Sequence, residues 1–288
     1  MKAIDGAMEQ PPISNRLGDR IGKVLIIAYK ESTDLLEKTL REEGLTPEVM
    51  RQAENPAMQD FSSSYRCLLN HRSAWEKALN EPQPTLIIEA DFVPVQGFGE
   101  LPLPYPGDRT DLGIAWLYTC APQIYSVSQE GYAQGFSTAM VAYIITNQSA
   151  EYLIKLAERI KDEIGPKNYS AWDSEIDAFL RKNKFNNYVP FRNYGEHGGR
   201  PNPEHRQNQL SSSHRADVLY GKLAFLPMYA SEDHDGSFPV LGVRLKARLK
   251  GIGRLVTGRY LRLPILKQSS VPGRLLSFAI RRHLTLRL

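Results

Sequence analysis

Apolar residues along this chain change their spacing in a repeating order that predicts alternating strands and helices. Lys23 to Tyr29 (KVLIIAY) is a short, nearly continuous apolar run, as expected of a strand buried on both faces. Ser32 precedes a helical stretch from Asp34 to Glu43, and Gly44 follows as a stop signal. Ser62 to Ser64 offer caps for a second helix reaching Leu79, with Leu68, His71, Trp75 and Leu79 on one buried stripe. Thr85 to Ile88 is another β-branched apolar run, closed by Glu89, Ala90, Asp91 and then Pro94. Further strands are predicted over Ile114 to Cys120, Ile124 to Val127 and Phe136 to Thr146. Asn147 or Ser149 caps a helix from Ala150 to Ile164, striped by Leu153, Leu156 or Ala157, and Ile160. Ser170 opens one more, to Lys182. Strands alternating with helices predict an α/β fold.

Two segments break this rhythm. Residues 94–108 are rich in proline and glycine and read as a loop leaving the sheet. Arg192 to His214 has almost no apolar content and holds three of the six histidines. A loop of that length inside a compact domain is usually functional or disordered.

Charge divides the chain more sharply than the overall +4 suggests. After Asp235 there is no acid, while twelve Lys and Arg lie between Arg244 and Arg287. The preceding residues hold 24 basic against 32 acidic side chains, a formal charge of about −8. An acidic body with a basic tail therefore divides into a lead-in over 1–22, a folded unit over 23–235 and a tail over 236–288. The two cysteines, Cys67 and Cys120, make neither a disulfide framework nor a metal-ligand spacing, which suits a reducing compartment. No signal-peptide pattern and no membrane-spanning run is expected, and 42% hydrophobic residues is ordinary for a globular chain.

The strongest chemical signal is the strand end at Glu89 and Asp91. Carboxyl ends of strands are where open α/β sheets bind ligands. Side chains two apart on extended chain point the same way, so both carboxylates would face one hard cation and the phosphate oxygens it carries. A pair of solvated acids at a strand end is the plain alternative.

Four ordered blocks resemble the glycosyltransferase family 25 enzymes of bacterial lipopolysaccharide synthesis, relatives of collagen galactosyltransferases. They are Cys67 to Trp75 (CLLNHRSAW), Leu86 to Asp91 (LIIEAD), Gly135 to Ile145 (GFSTAMVAYII) and the late acids Asp173 and Asp177. The resemblance spans roughly residues 23–185, with Asn70 in place of the family's serine and Ala90 in place of its middle acid. It implies a GT-A-like, Rossmann-type mixed sheet flanked by helices, followed here by a basic helical extension. It also implies an inverting, metal-assisted transfer of a hexose such as galactose from a UDP-sugar to a lipopolysaccharide-type glycan. On that reading Asp91 and Glu89 bind Mn²⁺ or Mg²⁺, and Asp173 or Asp177 takes the acceptor proton. His71 and Asn70 position the donor. Apart from the resemblance, the 192–214 loop reads either as a solvated surface loop or as a lid over the donor that supplies His197 as a ligand or Arg192 and Arg200 to phosphate. Asp173 has a competing role, because Ser170 to Asp173 fits a capping box.

Interleaved Leu, Val, Ile, Arg and Lys from Val243 to Leu263 suit a helix lying on an anionic membrane surface. Nucleic acid is not expected as a partner, since the tail's aromatics from Val243 onward are Tyr260 and Phe278 alone. The implied location is cytoplasmic, peripheral on the inner face of a membrane, near a lipid-linked acceptor. Two other classes are compatible with the residues: a metal-dependent phosphate-ester hydrolase, and an inactive module that binds a sugar nucleotide or a membrane.

Overall fold

The computed structural model describes residues 15–52, 55–199, 214–230 and 237–284. The start of the expected lead-in and the middle of the 192–214 loop, Arg200 included, lie outside the described residues. In chain order the strands are β1 (Lys23–Ala28), β2 (Pro47–Arg51), β3 (Thr85–Glu89), β4 (Phe92–Pro94) and β5 (Leu112–Trp116). Then follow β6 (Gln123–Val127), β7 (Ala133–Phe136), β8 (Ala142–Ile145), β9 (Asn186–Val189) and β10 (Gly195–His197). Eight of them form one mixed sheet in the order β2-β1-β3-β8-β5-β9-β7-β6, and β4 pairs with β10 in a small second sheet. The β1–β2, β1–β3 and β5–β9 pairs are parallel, and β8 runs antiparallel to both neighbours.

Burial on both faces explains why β1 is apolar from Val24 to Ala28. Leu25 and Ile27 enter one core with Ile87, Tyr143 and Ile145, while Val24 and Ile26 enter the other with Leu86, Ile88 and Ile144. The helices are α1 (Leu17–Arg20), α2 (Asp34–Glu42), α3 (Ser63–Ala78), α4 (Asn147–Glu163) and α5 (Ile176–Lys182). Residues of α3, α4 and α5 cover the first face. Those of α2 cover the second, joined by Val95, Phe98, Leu103 and Tyr105 of the loop after β4. That loop is therefore part of the core.

Several local expectations change. Phe136 to Thr146 is not one strand: β7 and β8 lie apart in the sheet, and residues 137–141 leave it. Ser137 Oγ accepts from Ala139 N–H (3.2 Å), which turns the chain between them. Thr146 rather than Asn147 or Ser149 caps α4, in a reciprocal box with Ser149. Ser170 caps nothing; a 3₁₀ turn at Trp172–Ser174 precedes α5. Leu79 lies outside the buried stripe, at 37% exposure. Pro47–Arg51 forms an unanticipated edge strand.

The basic tail folds into α6 (Ser237–Val256), α7 (Leu263–Gln268) and α8 (Pro272–His283). It packs on the body: Tyr260, Leu261, Leu275, Phe278 and Ala279 join the core beside Ile124 and Val127 of β6. Ile124 N–H donates to Tyr260 C=O at 3.1 Å, so the tail also covers an edge strand. Among the described residues no helix is long and apolar enough to cross a membrane.

Candidate functional site

Strand order reverses at β1, with β2 on one side and β3 on the other, and a crevice opens beyond their carboxyl ends. A pocket of about 640 Å³ fills it. The strands contribute Ile27, Ala28 and Glu89, followed by Ala90 and Asp91; α3 contributes Ser63, Arg66, Cys67, Asn70 and His71. Tyr29, Glu31 and Gln52 enter from the loops that follow β1 and β2. Arg51 stiffens the first of these loops by donating to the carbonyl of Glu31 (2.9 Å) and to Thr33 Oγ1 (3.3 Å). Asn70 donates to Gln52 Oε1 at 3.2 Å, joining two walls of the pocket.

The two acids meet by a different route from alternate positions on one strand. β3 ends at Glu89, and Ala90 and Asp91 form a turn held by Ala90 N–H to Ile27 C=O (2.9 Å). β4 begins at once and pairs with β10 in the register Phe92 to His197. That register sets the imidazole against Asp91, with Nε2 2.9 Å from Oδ2. One ligand atom each of Glu89, Asp91 and His197 then lies within 4.8 Å of the others. Three donors around one cation at about 2.0–2.6 Å sit roughly 3–5 Å apart. Burial alone lowers the His197 pKa, but the charge and hydrogen bond of Asp91, with Glu89 behind, push it up to about 9.

Backbone crowds the same point. Gly198 N–H donates to Asp91 C=O at 2.7 Å. A Cβ on Gly199 would run into Asp91 Oδ2 and lie 2.9 Å from His197 Nε2. Arg215, which stacks over Tyr229, donates to the carbonyls of His197 and Gly199 at 2.9 Å each. Asp91 Oδ1, His197 Nδ1 and the Tyr118 hydroxyl are buried with no hydrogen-bond partner among the described residues. Buried polar atoms are nearly always satisfied, so an orphaned carboxylate oxygen beside a second carboxylate and an imidazole fits a divalent cation. Carboxylates suit Mg²⁺ or Mn²⁺, and the imidazole tips the set toward Mn²⁺.

Beneath Glu89 the hydrogen bonds have a direction. Trp75 Nε1–H can only donate, and it does so to Tyr143 O (2.9 Å). The buried Tyr143 hydroxyl must then donate onward, and His71 Nδ1 accepts at 2.8 Å. His71 therefore carries its hydrogen on Nε2, 3.2 Å from Glu89 Oε1. Cys67, His71 and Glu89 also cluster, but both His71 nitrogens are committed, so that trio is no second cation site.

The remaining expected residues fall elsewhere. Asp177 is buried and saturated, accepting from Tyr125 (2.9 Å), Arg181 (3.0 Å) and Asn187 (2.8 Å). Its carboxylate braces α5 against β6 and β9 and does not line the pocket. Asp173 accepts from Ser174 N–H at 3.0 Å instead of closing a capping box. The ring before it, Trp172, packs 5.3 Å from His71 behind the pocket, and neither Trp172 nor Asp173 lines the pocket itself. Arg192 lies over Phe191, which stacks on Phe278 of α8, so it belongs to the seam with the tail and not to the pocket lining. Tyr143, Arg215, Tyr118 and Gln52 were not anticipated. Only the Gly198-Gly199 pair beside His197 marks in the sequence that backbone comes close there.

No protein family and no curated protein matches the chain in sequence. Solved structures similar to it include two glycosyltransferases. One is a glycosyltransferase involved in the glycosylation of the major capsid of PBCV-1, at 9% identity and TM-score 0.39, covering 58% of this chain and 81% of that one. The other is a mutant Drosophila beta-1,4-galactosyltransferase 7 in complex with manganese, UDP-Gal and xylobiose. Its identity is 8% and its TM-score 0.35, over 58% of this chain and 65% of that one. Likeness at this level assigns neither activity nor ligand, and the functional reading rests on the side chains.

Proposed function

We propose that this protein is a GT-A-type glycosyltransferase of the family 25 kind, transferring a hexose such as galactose from a UDP-sugar with inversion. The observation that carries the reading is the convergence of Glu89, Asp91 and His197 at the end of a pocket large enough for a nucleotide. Those three residues would hold Mn²⁺ or Mg²⁺, which supplies charge neutralisation for the leaving diphosphate. His71 holds Glu89 by its Nε2–H. Arg66 and Asn70 on α3 and Gln52 after β2 line the pocket with donors suited to phosphate, ribose and base. Asp177 is committed to three partners, so the acceptor-side base falls to Asp173. A lipopolysaccharide-type, lipid-linked glycan acceptor and a cytoplasmic, membrane-peripheral location belong to the same proposal.

A donor screen by UDP release, with Mn²⁺ titrated, tests it. The expected result is release that needs one donor and the cation, lowered at least about a hundredfold by Asp91→Asn. Unchanged turnover in that variant would sink the metal assignment. Absence of nucleotide binding by calorimetry would sink the transferase reading itself. A phosphate-ester hydrolase reading draws less support, because a two-metal site needs further ligands that the His71 cluster does not provide.

A further inference from the structure

The tail helices bury arginines and expose rows of apolar residues, whereas an ordinary surface helix exposes its charges and buries its apolar stripe. On α6 the buried positions include Arg244, Ala247, Arg248 and Gly251, while Leu241, Leu245 and Leu249 are at least half exposed. The inward arginines find buried acceptors. Arg244 donates to Glu196 Oε2 at 2.6 Å, and Arg248 reaches the carbonyl of His283. Helix α8 buries Leu275, Phe278 and Ala279 in the core and Arg282 against Asp217, while a second apolar row, Leu276, Ile280 and the following Leu284, is exposed. Both outward rows step by four residues and so form a continuous stripe along each helix.

On α6 the apolar stripe has a basic row on its outer flank: Lys246 and Lys250 are exposed and, at about 100° per residue, fall beside the leucines and away from the buried face. On α8 the guanidinium groups turn back to the body, Arg274 donating to the Val127 carbonyl at 3.2 Å and Arg281 lying over Phe191. No acid occurs from residue 236 onward to offset them.

We infer that the outward faces of α6 and α8 form a docking surface for an anionic lipid bilayer. The leucine and isoleucine rows enter the interface between headgroups and acyl chains, and the flanking lysines of α6 meet lipid phosphates. Charge decides among occupants. A second copy pairing through this face would set one acid-free basic surface against another. Single-stranded nucleic acid wants exposed aromatic rings, whereas Tyr260 and Phe278 are both buried. Deepening the peripheral location proposed above, the inference uses no part of the transfer chemistry, so its test needs neither donor nor acceptor.

The test is sedimentation of the full chain with phosphatidylcholine vesicles, with and without phosphatidylglycerol. Truncating the tail would remove Arg244 and Arg282 from their buried acids, so point changes on the exposed rows are the cleaner probe. Binding is expected to the anionic vesicles only, and to fall about thirtyfold in Lys246→Gln with Lys250→Gln. Leu245→Asp with Ile280→Asp should weaken it at least tenfold, with unchanged thermal melting. No binding to anionic vesicles by a folded chain would overturn the inference. So would binding indifferent to both pairs of substitutions, or dimerisation or RNA binding that is lost with the same leucines while vesicles are ignored.

Discussion

Tyr143 decides which way the hydrogen bonds run beneath Glu89, although it touches no ligand atom itself. Its oxygen accepts from Trp75 and its hydrogen goes to His71 Nδ1, so the imidazole has one tautomer available while the hydroxyl stays satisfied. Groups that orient a metal-binding side chain are commonly worth about 10–100-fold in metal affinity. Tyr143→Phe should therefore weaken Mn²⁺ binding by that order in calorimetry, beside a stability cost of about 1–3 kcal/mol from the stranded Trp75 and His71. A variant that melts earlier yet binds Mn²⁺ with unaltered affinity would show Tyr143 to be a packing residue only. The two acids drew notice in the sequence because they close an apolar strand, although a solvated pair was the plain alternative there. The tyrosine was not, since a buried Tyr in a strand looks like core until its hydroxyl is placed.

At the scale of elements, the site depends on three-residue strands that periodicity cannot detect. β1, α2, α3 and β3 were readable because each holds an apolar pattern for five residues or more. β4 and β10 are too short, and β10 reads Gly-Glu-His, as polar as any loop. Their pairing nevertheless carries His197 to Asp91, and Gly199 lets the chain pass the two side chains. Gly199→Ala should accordingly push Asp91 and His197 apart and lower Mn²⁺ affinity at least tenfold, while Gly253→Ala, where a Cβ meets open space, should leave it unchanged. Equal affinity in both variants would mean that the loop after β10 gives way and does not shape the site. The tail shows a second limit of pattern reading. Its helical period was evident, but the period alone does not say which face is buried. That answer lay in Glu196 and Asp217, acids far away in the chain.

Across the whole molecule, buried ion pairs join the basic tail to the acidic body. Glu196 accepts from Arg244 on one side and from the backbone of His197 on the other, so the tail reaches the neighbour of a proposed metal ligand. Asp217 takes Arg282 and His283 from α8, with Asn193 donating to it at 3.1 Å. Burial alone would raise the Asp217 carboxyl, but Arg282 and His283 outweigh it and hold the group well below the usual carboxylate range. A carboxyl with a depressed folded pKa contributes stability that is fully present above its unfolded value, near 4, and that is lost as pH falls toward the folded one. Asp217→Asn leaves a buried guanidinium without its anion and should cost about 3–5 kcal/mol at pH 7. Because the wild-type advantage titrates away, that difference should shrink by about 1.4 kcal/mol per pH unit below roughly pH 4. Urea unfolding of both proteins at pH 7, 4 and 3 measures it. A difference that stays constant down to pH 3 would mean that the carboxylate charge contributes nothing to docking, and that the tail is held by Tyr260, Leu275 and Phe278 alone.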